Sequence, residues 1–156
     1  MQIRRAEERD IEGILSLLIQ VDMVHHNGRP DLFKGPAVKY SADELKEIIK
    51  DDSRPVFVYE DDDGSISGHA FCILEDHTQE RVLTDIKTLY IDDICVDEKC
   101  RGKHIGRQLY EHALAHAKKL GCYNVTLNVW ECNPTARKFY EAMGMSVQKT
   151  GMEAII

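Results

Sequence analysis

A strand that leads through a short basic turn into a helix is the feature that most constrains how this chain can fold. Residues 88–96 are apolar and β-branched enough for a central strand, and residues 106–120 repeat apolar side chains at helical spacing. The turn between them consists of Arg101, Gly102, Lys103, His104, Ile105, Gly106 and Arg107. Because the first amides of a helix have no intrahelical partner and the helix dipole is positive at that end, this basic turn predicts an anion-binding site.

The rest of the chain alternates between strand and helix patterns, which favours an α/β fold. The expected strands span residues 2–5, 56–59, 66–74, 88–96, 124–129 and 146–155. The expected helices span residues 11–19, 42–50, 106–120 and 134–143. Residues 25–39 contain Gly and Pro and are expected to form a long loop. A single domain over residues 1–156 is predicted, with a mixed sheet and helices on both faces.

Cap and turn residues mark where several of these elements begin or end. Ser41 and Glu44 form a capping-box pattern before the second helix. Gly64 lies in an acidic turn between two strand-like runs, which predicts a β-hairpin. Gly121 is placed to end the third helix, and Asn133 is placed to cap the fourth.

Charge and cysteine content narrow the class of function. The chain has 20 basic and 27 acidic residues, a net charge of -7, which argues against a general nucleic-acid surface because phosphate binding needs clustered Lys and Arg. Small cationic partners suit this balance better. The N-terminus shows no apolar signal core and no run is long enough to cross a bilayer, which indicates a cytoplasmic protein. The five cysteines include no CxxC pair, so we expect reduced thiols and no metal site.

The basic turn is similar to the pyrophosphate-binding loop of the GNAT N-acetyltransferase family, in which Arg or Gln is followed by two residues, Gly, one residue, and Gly or Ala. Here Arg101 opens the pattern and Gly106 closes it, while His104 stands where the family usually has glycine. The resemblance implies that this loop binds the pyrophosphate of coenzyme A and that the sheet is mostly antiparallel. If the position of His104 needs a positive φ, histidine costs about 1 kcal/mol of strain there.

A second block, residues 130–145, also resembles the family. Its Asn133 and Tyr140 are seven residues apart and therefore share a helix face about two turns apart. The resemblance implies that Asn133 contacts the pantetheine arm and that Tyr140 acts as the acid toward the thioester sulfur. It also implies that backbone groups of Ile94, Cys95 and Val96 bind the pantetheine amides. Acetyl-CoA is thus the expected co-substrate.

Two adjacent carboxylates in the central strand are candidates for the group that activates the acceptor amine. Strand alternation sends Asp92 and Asp93 to opposite faces, so a regular strand presents only one of them to the acetyl group. The resemblance makes Asp92 the first candidate for the base and Asp93 the second, and a β-bulge, common in the resembling enzymes, would exchange them. An alkyl ammonium with a pKa near 10.4 is neutral only about once in a few thousand molecules at pH 7, so a nearby carboxylate helps by binding it and relaying its proton.

The local likeness extends to the polyamine (spermidine/spermine) acetyltransferases, through residues 90–96 and 130–140, and implies a small cationic amine as acceptor. Two other functions stay open. One is acetylation of a lysine or N-terminus on another protein, and the other is a non-catalytic acyl-CoA-binding module. The presence of both Asn133 and Tyr140 argues against the non-catalytic module. Many relatives form dimers, so a homodimer is a further expectation.

Overall fold

A five-stranded mixed sheet forms the centre of the molecule in a computed structural model that describes residues 1–156. The strands are β1 (Gln2–Arg5), β2 (Val56–Glu60), β3 (Ile66–Asp76), β4 (Lys87–Val96) and β5 (Asn124–Leu127). They lie side by side in the order of the sequence. Neighbouring strands are antiparallel except β4 and β5, which run parallel. The predicted mixed, mostly antiparallel sheet is confirmed.

Helices cover both faces of this sheet. They are α1 (Ile11–Gly28), α2 (Ala42–Lys50), α3 (Ile105–Lys119) and α4 (Pro134–Ala142). On one face, α1 and α2 bury a cluster that includes Leu18, Leu45 and Phe71. On the other face, Leu109 of α3 packs with Leu89 of β4 in a separate cluster. The predicted α/β layers are therefore present, and none of the helices is long and apolar enough to cross a membrane.

The predicted caps and turns occur where the sequence places them. The Ser41 hydroxyl accepts a hydrogen bond from the Glu44 amide at 3.2 Å, and the Glu44 carboxylate accepts one from the Ser41 amide at 2.7 Å. Gly64 turns the β2–β3 hairpin with a φ of 84°. Gly121 ends the α3 segment with a φ of 71°. The Asn133 side chain accepts a hydrogen bond from the backbone of α4 at 3.1 Å.

The pairing of β3 with β4 contains one irregularity. Phe71 pairs with Asp93, and the next residue of β3 pairs with Ile91, so Asp92 is an extra residue in β4. This β-bulge shifts the alternation of the strand. Ile91 and Ile94 both pack on the α3 side of the sheet although they are three positions apart. The expected bulge is present, and it lies at the candidate carboxylates.

Two predicted boundaries are wrong. No strand forms over residues 146–155, where Val147, Met152 and Ile155 are largely exposed. Without apolar burial, nothing offsets the entropy lost in ordering another strand. Helix α1 also continues to Gly28 instead of ending before residue 25. Its last turns are supported by Phe33, whose ring centroid lies 5.1 Å from that of His25.

Candidate active site

The turn between β4 and α3 has the geometry of an anion-binding loop. Gly102 has a φ of 82° and His104 a φ of 61°, so both occupy the left-handed region. His104 immediately precedes α3, and no side chain caps the helix there. The first amides of α3 are therefore left to a ligand or water at the positive end of the helix dipole. The strain expected at His104 is confirmed, because its conformation is one that favours glycine.

Some side chains of the loop anchor it to the core, and others supply positive charge. Ile105 is buried and fixes the start of α3 to the core. Gly106 lies where an added Cβ would meet Val96 and Phe139 at ordinary contact distances of 3.6 and 3.7 Å. Arg107 donates to Glu111 at 2.8 Å, one turn further along α3. The remaining loop residues are exposed: Arg101, Gly102, Lys103 and His104.

The second half of β4 has a free edge next to this loop. Because β5 pairs only with residues 88–91, the backbone groups of Ile94, Cys95 and Val96 on that edge have no strand partner. The Cys95 side chain is buried and donates to the Leu17 carbonyl at 3.4 Å. Burial, reinforced by the charge of Asp93, raises the pKa of the Cys95 thiol to about 12. This thiol is therefore not a nucleophile, while the strand edge can bind the amides of a ligand.

Helix α4 carries both residues of the second motif. The Asn133 Oδ1 atom is used by the cap, which leaves its Nδ2 group for a ligand. Tyr140 lies half-buried two turns later, with its ring centroid 5.1 Å from Phe139 and 6.2 Å from Tyr110. Burial is the main cause of a raised pKa for the Tyr140 phenol, and the negative charge of Asp93 adds to it. The phenol is therefore protonated at neutral pH, within the field of Asp93.

Both candidate carboxylates open into one cavity of about 240 Å³. The cavity lies between α1, β4 and the loop before α2. It is lined by Leu18, Val21, Asp22, His25, Ala37, Val38, Lys39, Asp92 and Asp93. Asp92 and Asp93 therefore lie on the same side of β4, although a regular strand would send them to opposite faces, because the bulge interrupts the alternation.

Asp92 is held by the loop. Its Oδ2 atom accepts hydrogen bonds from Lys39 Nζ at 2.6 Å and from the Tyr40 hydroxyl at 3.2 Å. The Tyr40 ring stacks on Phe71, with centroids 5.6 Å apart. The Asp92 side chain is only 11% exposed, and both of its partners come from a segment about fifty residues earlier in the chain. Its position therefore depends on how the loop is folded.

Asp93 is held by the sheet. Its Oδ2 atom lies 2.8 Å from Nε2 of His69, which is fully buried in β3. Because a carboxylate only accepts, this contact assigns the imidazole proton to Nε2. The Nδ1 atom of His69 is then buried without a partner. The His69 ring also packs edge-on against Phe71 at 5.0 Å, so the imidazole has little freedom to turn away from Asp93.

The loop before α2 also reaches the C-terminal part of the chain. Phe33 packs edge-to-face on Trp130, with ring centroids 5.2 Å apart. Arg29 forms ion pairs with Asp31 and with Glu153. We call residues 29–40, together with residues 22 and 25 of α1, the acceptor-side surface, because the candidate acceptor cavity lies among them.

Three of the residues that shape this site were not predicted from the sequence. For His69 there was a weak indication in the sequence, since it is a polar residue inside the apolar run that forms β3. For Lys39 and Tyr40 there was no indication, because nothing in their local sequence points to a contact with a carboxylate in β4. Only the folded chain brings them together.

His112 and His116 lie one turn apart on α3. Both are half-buried, with ring centroids 4.6 and 5.1 Å from that of Phe57. Burial lowers the pKa of each imidazole. No cluster of three or more potential His, Cys, Asp or Glu ligands for a metal occurs in the structure.

A larger concavity of about 420 Å³ lies elsewhere, along the first half of α1 and the β2–β3 turn. Its lining includes Arg9, Glu12, Ser16 and Gly64 but neither member of the carboxylate pair. The smaller cavity is the candidate acceptor site, since it contains both carboxylates of the β4 bulge.

Comparison with known families assigns this arrangement to a class. The model of the acetyltransferase (GNAT) family matches residues 22–145, which include α3, β4 and α4. The chain belongs to the GNAT family. Members of this family are acetyl-CoA-dependent N-acetyltransferases. This agrees with the co-substrate and the reaction class expected from the sequence.

Named relatives agree on the reaction class and differ in the acceptor. Glucosamine 6-phosphate N-acetyltransferase of Arabidopsis thaliana is 33% identical over 91 residues, which cover 50% of this chain. The chain spans only 59% of the length of that relative. YwnH of Bacillus subtilis, whose name suggests a phosphinothricin acetyltransferase, is 28% identical over 149 residues, 94% of this chain and 84% of YwnH.

Solved structures give the same picture of the fold. The tetramutant of the BH1408 protein from Bacillus halodurans superposes with a TM-score of 0.94 at 29% identity, with full coverage of both chains. Glucosamine-6-phosphate N-acetyltransferase from Arabidopsis thaliana superposes with a TM-score of 0.73 at 27% identity, covering 99% of this chain and 97% of the other. Neither relative is named for polyamines, so that subgroup stays a prediction.

Proposed function

We propose that this chain transfers the acetyl group of acetyl-CoA to the primary amine of a small cationic molecule such as a polyamine. The observation that carries the proposal is the cavity in which Asp22, Asp92 and Asp93 face a single lysine. A cavity with an excess of carboxylates stabilises a ligand that brings several ammonium groups. We further propose that residues 1–156 form one domain and that the amine attacks directly, with both substrates bound together.

The donor side fits coenzyme A in two respects. The uncapped start of α3, next to Arg101 and Lys103, suits a pyrophosphate. The free edge of β4 suits the two amides of a pantetheine arm, and Asn133 Nδ2 adds a donor from α4. Bound there, acetyl-CoA would supply the activated acetyl thioester. The proposed donor-binding residues are Ile94, Cys95, Val96, Arg101, Gly102, Lys103, His104, Ile105, Gly106, Arg107, Asn133 and Tyr140.

The two carboxylates have separate proposed roles. A carboxylate that binds an ammonium also raises the pKa of that amine, so binding and activation oppose each other at a single group. Asp93, oriented by His69, is the proposed proton acceptor, because its Oδ1 atom is left for the amine or a bridging water. Asp92, whose partners come from the loop, is the proposed ammonium-binding group. Dividing the tasks in this way lessens the conflict.

Tyr140 is the proposed acid for the leaving sulfur. A phenol with an ordinary pKa near 10 is a weaker acid than a thiol near 8.5, so full proton transfer is uphill by about 2 kcal/mol. The upward shift in the pKa of Tyr140 increases that cost. Its hydroxyl therefore acts best as a hydrogen-bond donor that stabilises the developing thiolate.

An amine that also carries a phosphate is the second candidate acceptor. It is favoured by the relatives named for glucosamine 6-phosphate and by Lys39 and His25, which line the same cavity and can bind an anion. The two candidates make opposite demands on the cavity. A cationic amine is attracted by the three aspartates, whereas a phosphate is repelled by them.

The test is a panel of acceptors incubated with the full chain and acetyl-CoA, with products detected by mass because solvent-accessible cysteines such as Cys132 react with thiol dyes. The panel contains polyamines, aminoglycosides, amino acids, amino-sugar phosphates and lysine peptides. Polyamines or other cationic amines are expected to give the highest kcat/KM. Tyr140→Phe is expected to lower kcat about 100-fold, the loss typical of one proton-transfer or oxyanion donor.

The matched control is Tyr123→Phe, since Tyr123 is 76% exposed and remote from the motif residues. It is expected to leave kcat unchanged. The raised pKa of Tyr140 means that the phenol stays protonated beyond pH 10, so kcat is not expected to fall through the pH range of an ordinary tyrosine. Product from lysine peptides alone supports the protein-acetylating alternative. Acetyl-CoA binding without any product supports the non-catalytic one.

A further inference from the structure

The ammonium group of Lys39 already occupies the carboxylate that the acceptor amine is proposed to use. Lys39 Nζ lies 2.6 Å from Asp92 Oδ2 and 5.5 Å from the centre of the Tyr40 ring. Burial is the largest single influence and lowers the pKa of Lys39, but the hydrogen bond to Asp92 and the nearby negative charges together outweigh it, so the net shift of the pKa is upward. Lys39 is therefore a cation at neutral pH. Its contacts, a carboxylate and an aromatic ring, are those that bind alkyl ammonium ligands.

We propose that Lys39 is an internal competitor for the acceptor site and thereby sets which amines the enzyme accepts. The inference rests on the proposed function and adds a specificity-determining residue to it. An acceptor ammonium must displace Lys39 Nζ from Asp92 before it can bind there. A weakly charged amine does so poorly, whereas a molecule with several ammonium groups gains further attraction from Asp22 and Asp93.

The position of Lys39 makes this exchange possible. Its side chain is 49% exposed, so Nζ can move into water when it leaves Asp92. Asp92 is 11% exposed and also bonded to Tyr40, so it stays in place. Displacing Lys39 therefore leaves a nearly buried carboxylate that only the incoming amine can neutralise. Because such a carboxylate is costly to leave unpaired, ligands without a cation gain nothing from displacing Lys39.

An acceptor that carries a phosphate reverses the effect. Lys39 would then serve as the cation for the phosphate, and its removal would weaken binding. The same substitution therefore changes the KM in opposite directions for the two acceptor classes. This difference in sign separates a competitor from a residue that only stabilises the loop, since general loosening of the loop would raise the KM for both.

The experiment compares Lys39→Met with the wild-type chain, at saturating acetyl-CoA, for one polyamine and one amino-sugar phosphate. The KM for the polyamine is expected to fall about two- to fivefold. This is the factor by which a partly exposed ion pair favours the state in which Lys39 is bound to Asp92 over the state in which Asp92 is free. Tyr40→Phe removes the weaker partner of Asp92 while keeping the ring on Phe71. It is expected to give a smaller change. Polyamine dissociation constants measured by calorimetry in the presence of coenzyme A should follow the same order.

Lys46→Met is the matched control, because Lys46 forms a similar ion pair with Asp43 on α2, outside the residues that line the cavity. It is expected to change no KM. An unchanged or higher polyamine KM in Lys39→Met overturns the inference and leaves the proposed function intact. If the wild-type chain acetylates neither class, the proposed function fails first. In that case, calorimetry still tests whether Lys39→Met tightens polyamine binding, and no tightening overturns the inference as well.

Discussion

Hydrogen bonds between residues close in sequence shape the donor-side turn after β4, which is also attached to α1 through Gln20, whereas the loop on the acceptor side is held mainly by contacts between residues far apart. On the donor side, the Lys99 amide donates to the Asp97 side chain and the Cys100 amide to the Asp97 carbonyl, both at 2.8 Å. On the acceptor side, Lys39 reaches Asp92 across 53 positions. Phe33 similarly reaches Trp130 from the other half of the chain.

The donor side is therefore a preformed surface, whereas the acceptor side is a surface whose contacts a ligand can exchange for its own. Short-range contacts close small loops at low entropic cost, so the donor loop can keep its shape when the acceptor side rearranges. The long-range contacts that Lys39 and Phe33 make from the acceptor-side loop are a partly exposed ion pair and ring contacts of modest strength, which a ligand can replace. Variants of the donor side should therefore change stability and donor affinity, and variants of the acceptor side should change the KM for the amine.

The largest expected effect lies where the two sides meet. We expect Asp93→Asn to lower kcat about 100-fold, because a fixed proton acceptor contributes at least this much. Asp92→Asn is expected mainly to raise the acceptor KM, because Asp92 exchanges partners with the loop. Steady-state kinetics with a responsive acceptor, at saturating acetyl-CoA, give both constants.

His69 provides the control for this division of roles. His69→Gln keeps a side-chain donor beside Asp93 and is expected to retain more of kcat than His69→Phe, while acceptor KM changes little in either. A merely structural role for His69 would lower the free energy of unfolding in both variants without separating their kcat values. If Asp92→Asn loses as much kcat as Asp93→Asn, the two carboxylates act as one unit and the proposed division is wrong.

A smaller effect is expected from relieving the strain on the donor side. His104→Gly should raise the free energy of unfolding by about 1 kcal/mol, because glycine adopts a φ of 61° without the clash that histidine has. It should also tighten coenzyme A binding, since glycine has no side chain at the start of α3, where the pyrophosphate is proposed to bind. Chemical denaturation and calorimetry measure the two quantities.

Gly102→Ala is the opposite change in the same loop. Gly102 has a φ of 82°, and an added Cβ would meet no atom within 4 Å, so any loss is conformational and not steric. We expect the free energy of unfolding to fall by about 1 kcal/mol in Gly102→Ala. The acceptor KM should stay the same in both variants. A change in acceptor KM with either one would show that the two sides of β4 are coupled, contrary to the comparison above.

The donor side was largely predictable from the sequence because its signals are local. The strand, the basic turn and both following helices appear within about fifty residues, and Asn133 and Gly121 perform the cap and stop that their residue types favour. Whether His104 has a positive φ could not be decided from the sequence, and the structure shows that it does. The predicted strand over residues 146–155 failed because strand formation depends on a partner and on burial, which local sequence does not report.

The acceptor side was not predictable in the same way. The sequence identified both aspartates, but their common direction depends on the bulge between Ile91 and Asp93. Their different partners, Lys39 and His69, come from a loop and from a neighbouring strand. The arrangement of the two aspartates thus depends on contacts formed only in the folded chain, while the turn after β4 and the cap of α4 follow from short motifs.

The smallest expected effect tests whether the acceptor-side loop is exchangeable. Phe33→Ala removes the ring that packs on His25 and Trp130 and should raise the acceptor KM about two- to threefold, a loss comparable to one aromatic contact. The free energy of unfolding should fall by less than about 1 kcal/mol, because these contacts lie on the surface of the fold. Leu32→Ala, at a neighbouring position that is 51% exposed, should change neither quantity. A larger loss of stability in Phe33→Ala, or weaker coenzyme A binding, would mean that this loop supports the core and the donor side as well, and the acceptor side would then not be the independent surface described here.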